Sequence, residues 1–93
     1  MTYADLQEAL RILELGERAS MKDIKARHRA LVKRHHPDAG GASEPEVIRQ
    51  INAAYRILLD YVTEYRFSFA ENEFYEQNPE ERFIHQFKDF YNE

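Results

Sequence analysis

Four side chains in the stretch "HRALVKRHHPDAGG" (residues 28–41) could do chemistry: His28, His35, His36 and Asp38. An imidazole next to a carboxylate can serve as a general-base pair, as part of a metal site, or as a shape and charge shown to another protein. Base catalysis also needs a nucleophile, an oxyanion donor and an enclosed pocket, and none is readable here. A metal site is little better served. His28 and His35 are seven apart and align on a helix, but His36 does not join His28, and that face offers no cysteine or second acidic ligand. No metal or cofactor is therefore expected. Recognition remains, and a row of cations supports it: Lys22, Lys25, Arg29 and Lys33 recur at helical spacing just ahead of the pair.

Those residues need elements to position them. Ser20 followed by Asp23 reads as a capping box. Ile24, His28, Leu31 and His35 then form one stripe, with Val32 on its flank and the cations on a different face. His28 and His35 thus fall on the packing side. Pro37 disfavours helical angles at His36, so this second helix should end near His35. Asp38, Ala39, Gly40 and Gly41 give a polar loop that turns His36 and Asp38 outward. Thr2 and Asp5 cap a shorter first helix at about residues 3–14, for which Gly16 is the expected stop. Ser43, Pro45 and Glu46 open a third helix at about residues 44–63, with Ile48, Ile51, Ala54, Tyr55, Leu58, Leu59 and Val62 at helical spacing. The short link predicts an antiparallel hairpin of the second and third helices.

The bulk properties narrow the classes further. The chain has 93 residues, no cysteine and a net charge of −4. That length suits one domain with a small core and argues against a buried substrate chamber. No apolar run approaches the ~20 residues that cross a bilayer, and the polar start does not read as a signal peptide. The lack of cysteine fits a reducing compartment, and a cytoplasmic location is expected. Residues 22–36 sum to +5, whereas residues 60–93 sum to −6. A basic block inside an acidic chain suits a local contact with an acidic protein surface better than long-range attraction to nucleic acid. A small helical nucleic-acid-binding or protein-interaction module is the alternative. No Asn/Gln/Arg set at the start of a recognition helix favours the nucleic-acid version.

Taken together, the cationic helix, the His36-Pro37-Asp38 bend and the third helix resemble the J domain of DnaJ-like co-chaperones. "ALRILEL" (9–15) is similar to the family's first helix, "DIKARHRALVKRHHPD" (23–38) to its second helix and loop, and "VIRQINAAYRIL" (47–58) to its third. The resemblance implies an all-α fold and a DnaK-type heat-shock ATPase as partner. The chain would stimulate that partner's ATP hydrolysis and would not be an enzyme itself. Carried over by position, His36, Pro37 and Asp38 form the signalling loop. Lys25 and Arg29 are the chief cationic contacts, Lys33 and Lys22 are further ones, and His28 stands where the family often has an aromatic contact residue. There are other departures. Ala39 replaces a frequent basic residue, Glu14 replaces a usual glycine, and the family's short fourth helix is not recognisable after Tyr61.

Residues 1–63 read as the J domain and residues 64–93 as an aromatic, acidic extension. Tyr65, Phe67 and Phe69 alternate but have no partner strand, so the segment is expected to be irregular. A helical turn around 70–76 is conceivable, and Asn78, Pro79 and Glu81 announce a last helix through about residue 91. Ten aromatic residues between Tyr61 and Tyr91 seek burial, so packing of the tail on the hairpin is the favoured expectation. A client- or partner-binding arm built on Phe83, Phe87 and Phe90 is one alternative. Self-inhibition by the acidic tail on the basic helix is the other.

Overall fold

A computed structural model describes residues 1–35 and 45–91. Among the described residues five helices follow in order: α1 (Tyr3–Ile12), α2 (Met21–His35), α3 (Pro45–Thr63), α4 (Glu71–Gln77) and α5 (Pro79–Tyr91). No strand occurs among the described residues, as the all-α reading requires.

Two of the expected caps are formed. The Asp5 N–H donates to Thr2 Oγ1 at 3.1 Å, and the Thr2 N–H donates to the Asp5 carboxylate at 2.9 Å. Ser20 and Asp23 repeat the exchange at 3.1 and 3.0 Å. Each box satisfies donors that a helix start leaves open. Ser43, and with it the third expected cap, lies outside the described residues.

The end of α1 differs from expectation. Gly16 is not the stop, because the chain turns earlier. Leu13 is the C-cap, and Glu14 takes the left-handed conformation with φ 56°. The Glu14 N–H returns to the Arg11 carbonyl at 3.1 Å and the Leu15 N–H to the Leu10 carbonyl at 2.9 Å. That pair of bonds is the Schellman ending, with Leu10 and Leu15 both packed against the core. A side chain in this backbone region costs roughly 1–2 kcal/mol that glycine would not.

α3 is the spine. Ile51, Ala54 and Leu58 are buried, and they meet Ala9 and Leu13 from α1 and Ile24 and Leu31 from α2. Leu13 is fully enclosed. α2 and α3 run antiparallel: His28 lies level with Asn52 and Tyr55, while Leu31, Arg34 and His35 share a shallow groove with Val47, Gln50 and Ile51. Both α1 and α2 pack on α3.

The tail behaves differently. Residues 65–70 form no helix or strand, and α4 occupies the suspected helical turn. Asn78 separates α4 from α5, its side-chain amide donating to the Phe74 carbonyl at 3.0 Å and its own carbonyl accepting from the Glu81 N–H at 3.0 Å. The expected packing of the tail over the hairpin has no counterpart among the described helices. α4 and α5 pack on each other, and neither packs on α1, α2 or α3. The Cα radius of gyration is 19.1 Å, against about 12 Å for a compact chain of this length.

Two measurements check this account. Leu13→Ala should cost about 2–5 kcal/mol and lower the melting temperature by roughly 10 °C or more, whereas deleting residues 71–93 should lower it by only a few degrees. A large loss on deletion would show that the tail does cover the core. The caps predict a pH dependence. The backbone N–H groups of Thr2 and Ser20, and then their hydroxyls, hold Asp5 and Asp23 below the usual carboxylate range. A depressed carboxyl stabilises the fold above its unfolded value near 3.9, approximately, and that contribution is lost as pH falls through the folded value. Thermal melts of the parent and Asp23→Asn should therefore differ by a constant amount at neutral pH and converge in acid.

Candidate functional site

At 100° per residue α2 has three faces. The first is the core face, where Ile24 and Leu31 are buried and Val32 half-buried. His28 also turns toward α3, as its stripe position required. Its ring lies on that of Tyr55, with centroids 3.9 Å apart and planes within 7°. His28 Nε2 is 2.8 Å from Asn52 Oδ1. An amide oxygen only accepts, so Nε2 carries the hydrogen. His28 is thus held between helices, half-buried, rather than projecting freely. His35 is half-buried at the last turn.

The second face meets the end of α1. Arg27 and Arg34, two turns apart, each place Nη1 3.8 Å from the same Glu14 Oε2. All three side chains are partly exposed, so each pair contributes at most about 1 kcal/mol. One carboxylate nevertheless ties two points of α2 to the α1 terminus. The strained backbone of Glu14 and its contacts belong together: glycine would relax the turn and remove the tie. Sequence reading marked Glu14 only as a departure from glycine. The seven-residue spacing of Arg27 and Arg34 was the available signal that they share a face.

The third face carries Lys22, Lys25, Arg29 and Lys33. All four are exposed, and none forms an ion pair with another described residue. Like charges held on one helix face repel, and the row is tolerated because its ends reach water. His36, Pro37 and Asp38 lie outside the described residues. The helix delivers the chain to them at His35, beside the groove lined by Arg11, Glu14, Arg34, Val47 and Gln50. Among the described residues no three of His, Cys, Asp or Glu are grouped to hold a metal ion, and no helix is long and apolar enough to cross a membrane.

A cationic helix clasped antiparallel to an apolar one, with a short first helix packed across the second, is the geometry against which known families can be compared. Residues 8–66 match the DnaJ domain. The chain belongs to the DnaJ domain family. Its members are co-chaperones rather than enzymes, and a J domain typically stimulates a heat-shock ATPase. Among similar proteins, the chaperone protein DnaJ of Finegoldia magna is 45% identical over 51 residues, covering 53% of this chain and 14% of that protein. The chaperone protein DnaJ of Deinococcus proteolyticus is 40% identical over 62 residues, covering 64% and 19%. The mitochondrial import inner membrane translocase subunit TIM14 of Dictyostelium discoideum is 41% identical over 51 residues, covering 55% and 43%. The matched region is thus less than half the length of each of these relatives. No solved structure matches the chain.

Glu14 offers a test of the clasp. Glu14→Gly relieves the left-handed strain of roughly 1–2 kcal/mol and gives up ion pairs worth about as much or less, so it should be at least as stable as the parent. Glu14→Ala keeps the strain and loses the pairs. It should be the least stable of the three at low salt, with the gap to the parent closing at high salt. Urea unfolding at two ionic strengths reads both.

Proposed function

We propose that this J domain docks on a DnaK-type heat-shock ATPase through the cationic face of α2 and the His36-Pro37-Asp38 loop, and that docking stimulates ATP hydrolysis by the partner. The observation that carries the reading is the row Lys25, Arg29 and Lys33: exposed, without an ion pair among the described residues, and running toward the tripeptide. A row of this kind speeds and orients encounter with an acidic surface more than it adds affinity. Asp38 supplies a carboxylate for a partner arginine, the strongest kind of polar contact available to a short loop. His36 and Pro37 belong to the same signalling loop by resemblance to the family. His28 contributes from behind, setting the pitch of α2 against α3 through Tyr55 and Asn52. The chain does no chemistry of its own. It lowers the free energy of the hydrolysis-competent state of the ATPase by binding that state more tightly. We place this activity in the cytoplasm, a reducing compartment suited to a cysteine-free chain. Residues 64–93 then form an arm beyond the J domain.

Single-turnover ATP hydrolysis by a DnaK-type chaperone, with and without this protein, is the decisive assay. Addition should raise the rate. Asp38→Asn should keep the helical signal and abolish the stimulation. Lys25→Glu with Arg29→Glu should raise the concentration needed for half-maximal stimulation, by a factor that shrinks as salt is added. Normal stimulation by Asp38→Asn would remove the site assignment.

A further inference from the structure

The seam between α2 and α3 has one side that α1 leaves open. On α2, Arg27 and Arg34 face the end of α1 through Glu14. On α3, Val47 and Gln50 line the groove beside that end. The opposite rim of the seam is marked by His28 on α2 and Asn52 on α3, which meet at 2.8 Å. Going outward from these two, each helix next presents a cation. Lys25 lies about 60° around α2 from His28, and Arg56 about 40° around α3 from Asn52, both away from the core. Because the helices are antiparallel, a turn back along α2 and a turn forward along α3 lead the same way. Lys25 and Arg56 therefore stand at nearly the same level, within about one residue rise. Arg56 is exposed and forms no ion pair among the described residues. Asp23 is engaged by Ser20, and Asp60, one turn on from Arg56, is not paired with it. Arg49, further along the rim, is already beside Glu46 at 3.8 Å. The Asn52 side chain is exposed too. Its Oδ1 is taken by His28, and its Nδ2 donates to nothing among the described residues.

We propose that Arg56 is part of the docking surface, and that an acidic segment of the DnaK-type ATPase crosses the α2–α3 seam between Lys25 and Arg56. This rests on the chaperone reading above and widens its surface from one helix to two. Packed helix axes lie roughly 8–10 Å apart, so two long cations rooted on facing rims converge on one carboxylate or on two neighbouring ones. Asn52 Nδ2 adds an N–H donor between them. A guanidinium, an ammonium and an amide N–H all donate, and the group that satisfies them together is an anionic acceptor. Other occupants fit less well. The chain's own acidic tail does not reach this rim, since α4 and α5 pack on neither α2 nor α3. A nucleic-acid backbone would meet the same cations, but it would also meet a chain of net charge −4, which opposes its approach. A protein surface with a local acidic cluster meets only the cations.

The test uses the full chain and reads the concentration that gives half-maximal stimulation of single-turnover ATP hydrolysis by a DnaK-type chaperone. Arg56→Glu should raise it by about threefold to tenfold at low salt and by less at high salt. The saturated rate should not change, because Arg56 sits beside the start of α2 and the tripeptide follows its end. Arg56→Gln should shift the value the same way by a smaller factor. Lys25→Glu with Arg56→Glu should have less than the product of the two single effects, since both cations serve one acidic segment. Lys88→Glu makes the same change in net charge on α5 and should leave the value within about twofold of the parent. Circular dichroism melts verify that these exposed substitutions keep the fold. If Arg56→Glu acts no more strongly than Lys88→Glu while Lys25→Glu raises the value, the proposal falls and the chaperone reading stands. A double variant equal to the product separates the two cations and overturns the crossing. Duplex DNA that displaces the ATPase from the parent, and binds Arg56→Glu poorly, assigns the rim to a phosphate backbone and overturns the proposal as well. A parent that gives no stimulation removes both readings.

Discussion

Burial of Ile51, Ala54 and Leu58 is the constraint on which the rest of the molecule depends. These three side chains lie on one side of α3, and they are covered only when α1 and α2 pack together against it. Covering them fixes the rotation of α2 about its own axis, because Ile24 and Leu31 must face inward. With that rotation set, the positions of the other faces follow from helix geometry alone. Lys25, Arg29 and Lys33 must point to water, and Arg27 and Arg34 must turn toward the end of α1. The cationic row is therefore a consequence of the apolar core as much as of its own charges. Among the described residues the buried core is seven small and medium side chains, and so small a core has little stability to spare, which gives the minor contacts around it more weight than they would have in a larger protein.

Two such contacts set how firmly α2 is held. His28 adds a flat stack and one hydrogen bond at mid-helix. Glu14 adds a pair of long ion contacts further on, from a backbone conformation that favours glycine. Neither is strong alone. Both act at the surface of α2 that the core leaves loose, and both resist the same motion, a roll of α2 about its axis. A roll would turn the cationic row away from the direction that the core imposes on it. A histidine in an aromatic position and a glutamate in a glycine position are both departures from the family pattern, and here the two departures work toward one mechanical result.

The helices of the J domain were legible in the sequence because local signals agreed with the global pattern. Thr2–Asp5 and Ser20–Asp23 announced the starts, and the stripe Ile24, His28, Leu31, His35 announced both the helix and its buried side. The end of α1 was misread. Gly16 is the residue one expects at a left-handed position, whereas the hydrophobic pair Leu10 and Leu15 set the turn two residues earlier and forced Glu14 to adopt it. Packing overrode local preference there. The Glu14–Arg27–Arg34 contact was invisible for the same reason: it depends on where α1 ends. The His28–Asn52 bond depends on the register of two separate helices, which no local pattern encodes. In the tail the helix start at Asn78–Pro79 was plain. The direction in which its aromatic side faces was not, because aromatic residues at helical spacing state that a face exists and leave open what covers it.

The two charged parts of the chain pose an electrostatic puzzle that the geometry answers. A stretch of +5 (residues 22–36) and one of −6 (residues 60–93) in one small chain should attract each other if charge alone decided. Exposed ion pairs are worth little in salt, however, since each must immobilise two long side chains for a screened attraction. Collapse would also leave the phenylalanine stripe of α5 in water, because the cationic face of α2 has no apolar band to offer it. In the structure α4 and α5 pack on each other and not on α2, and Lys25, Arg29 and Lys33 stay exposed.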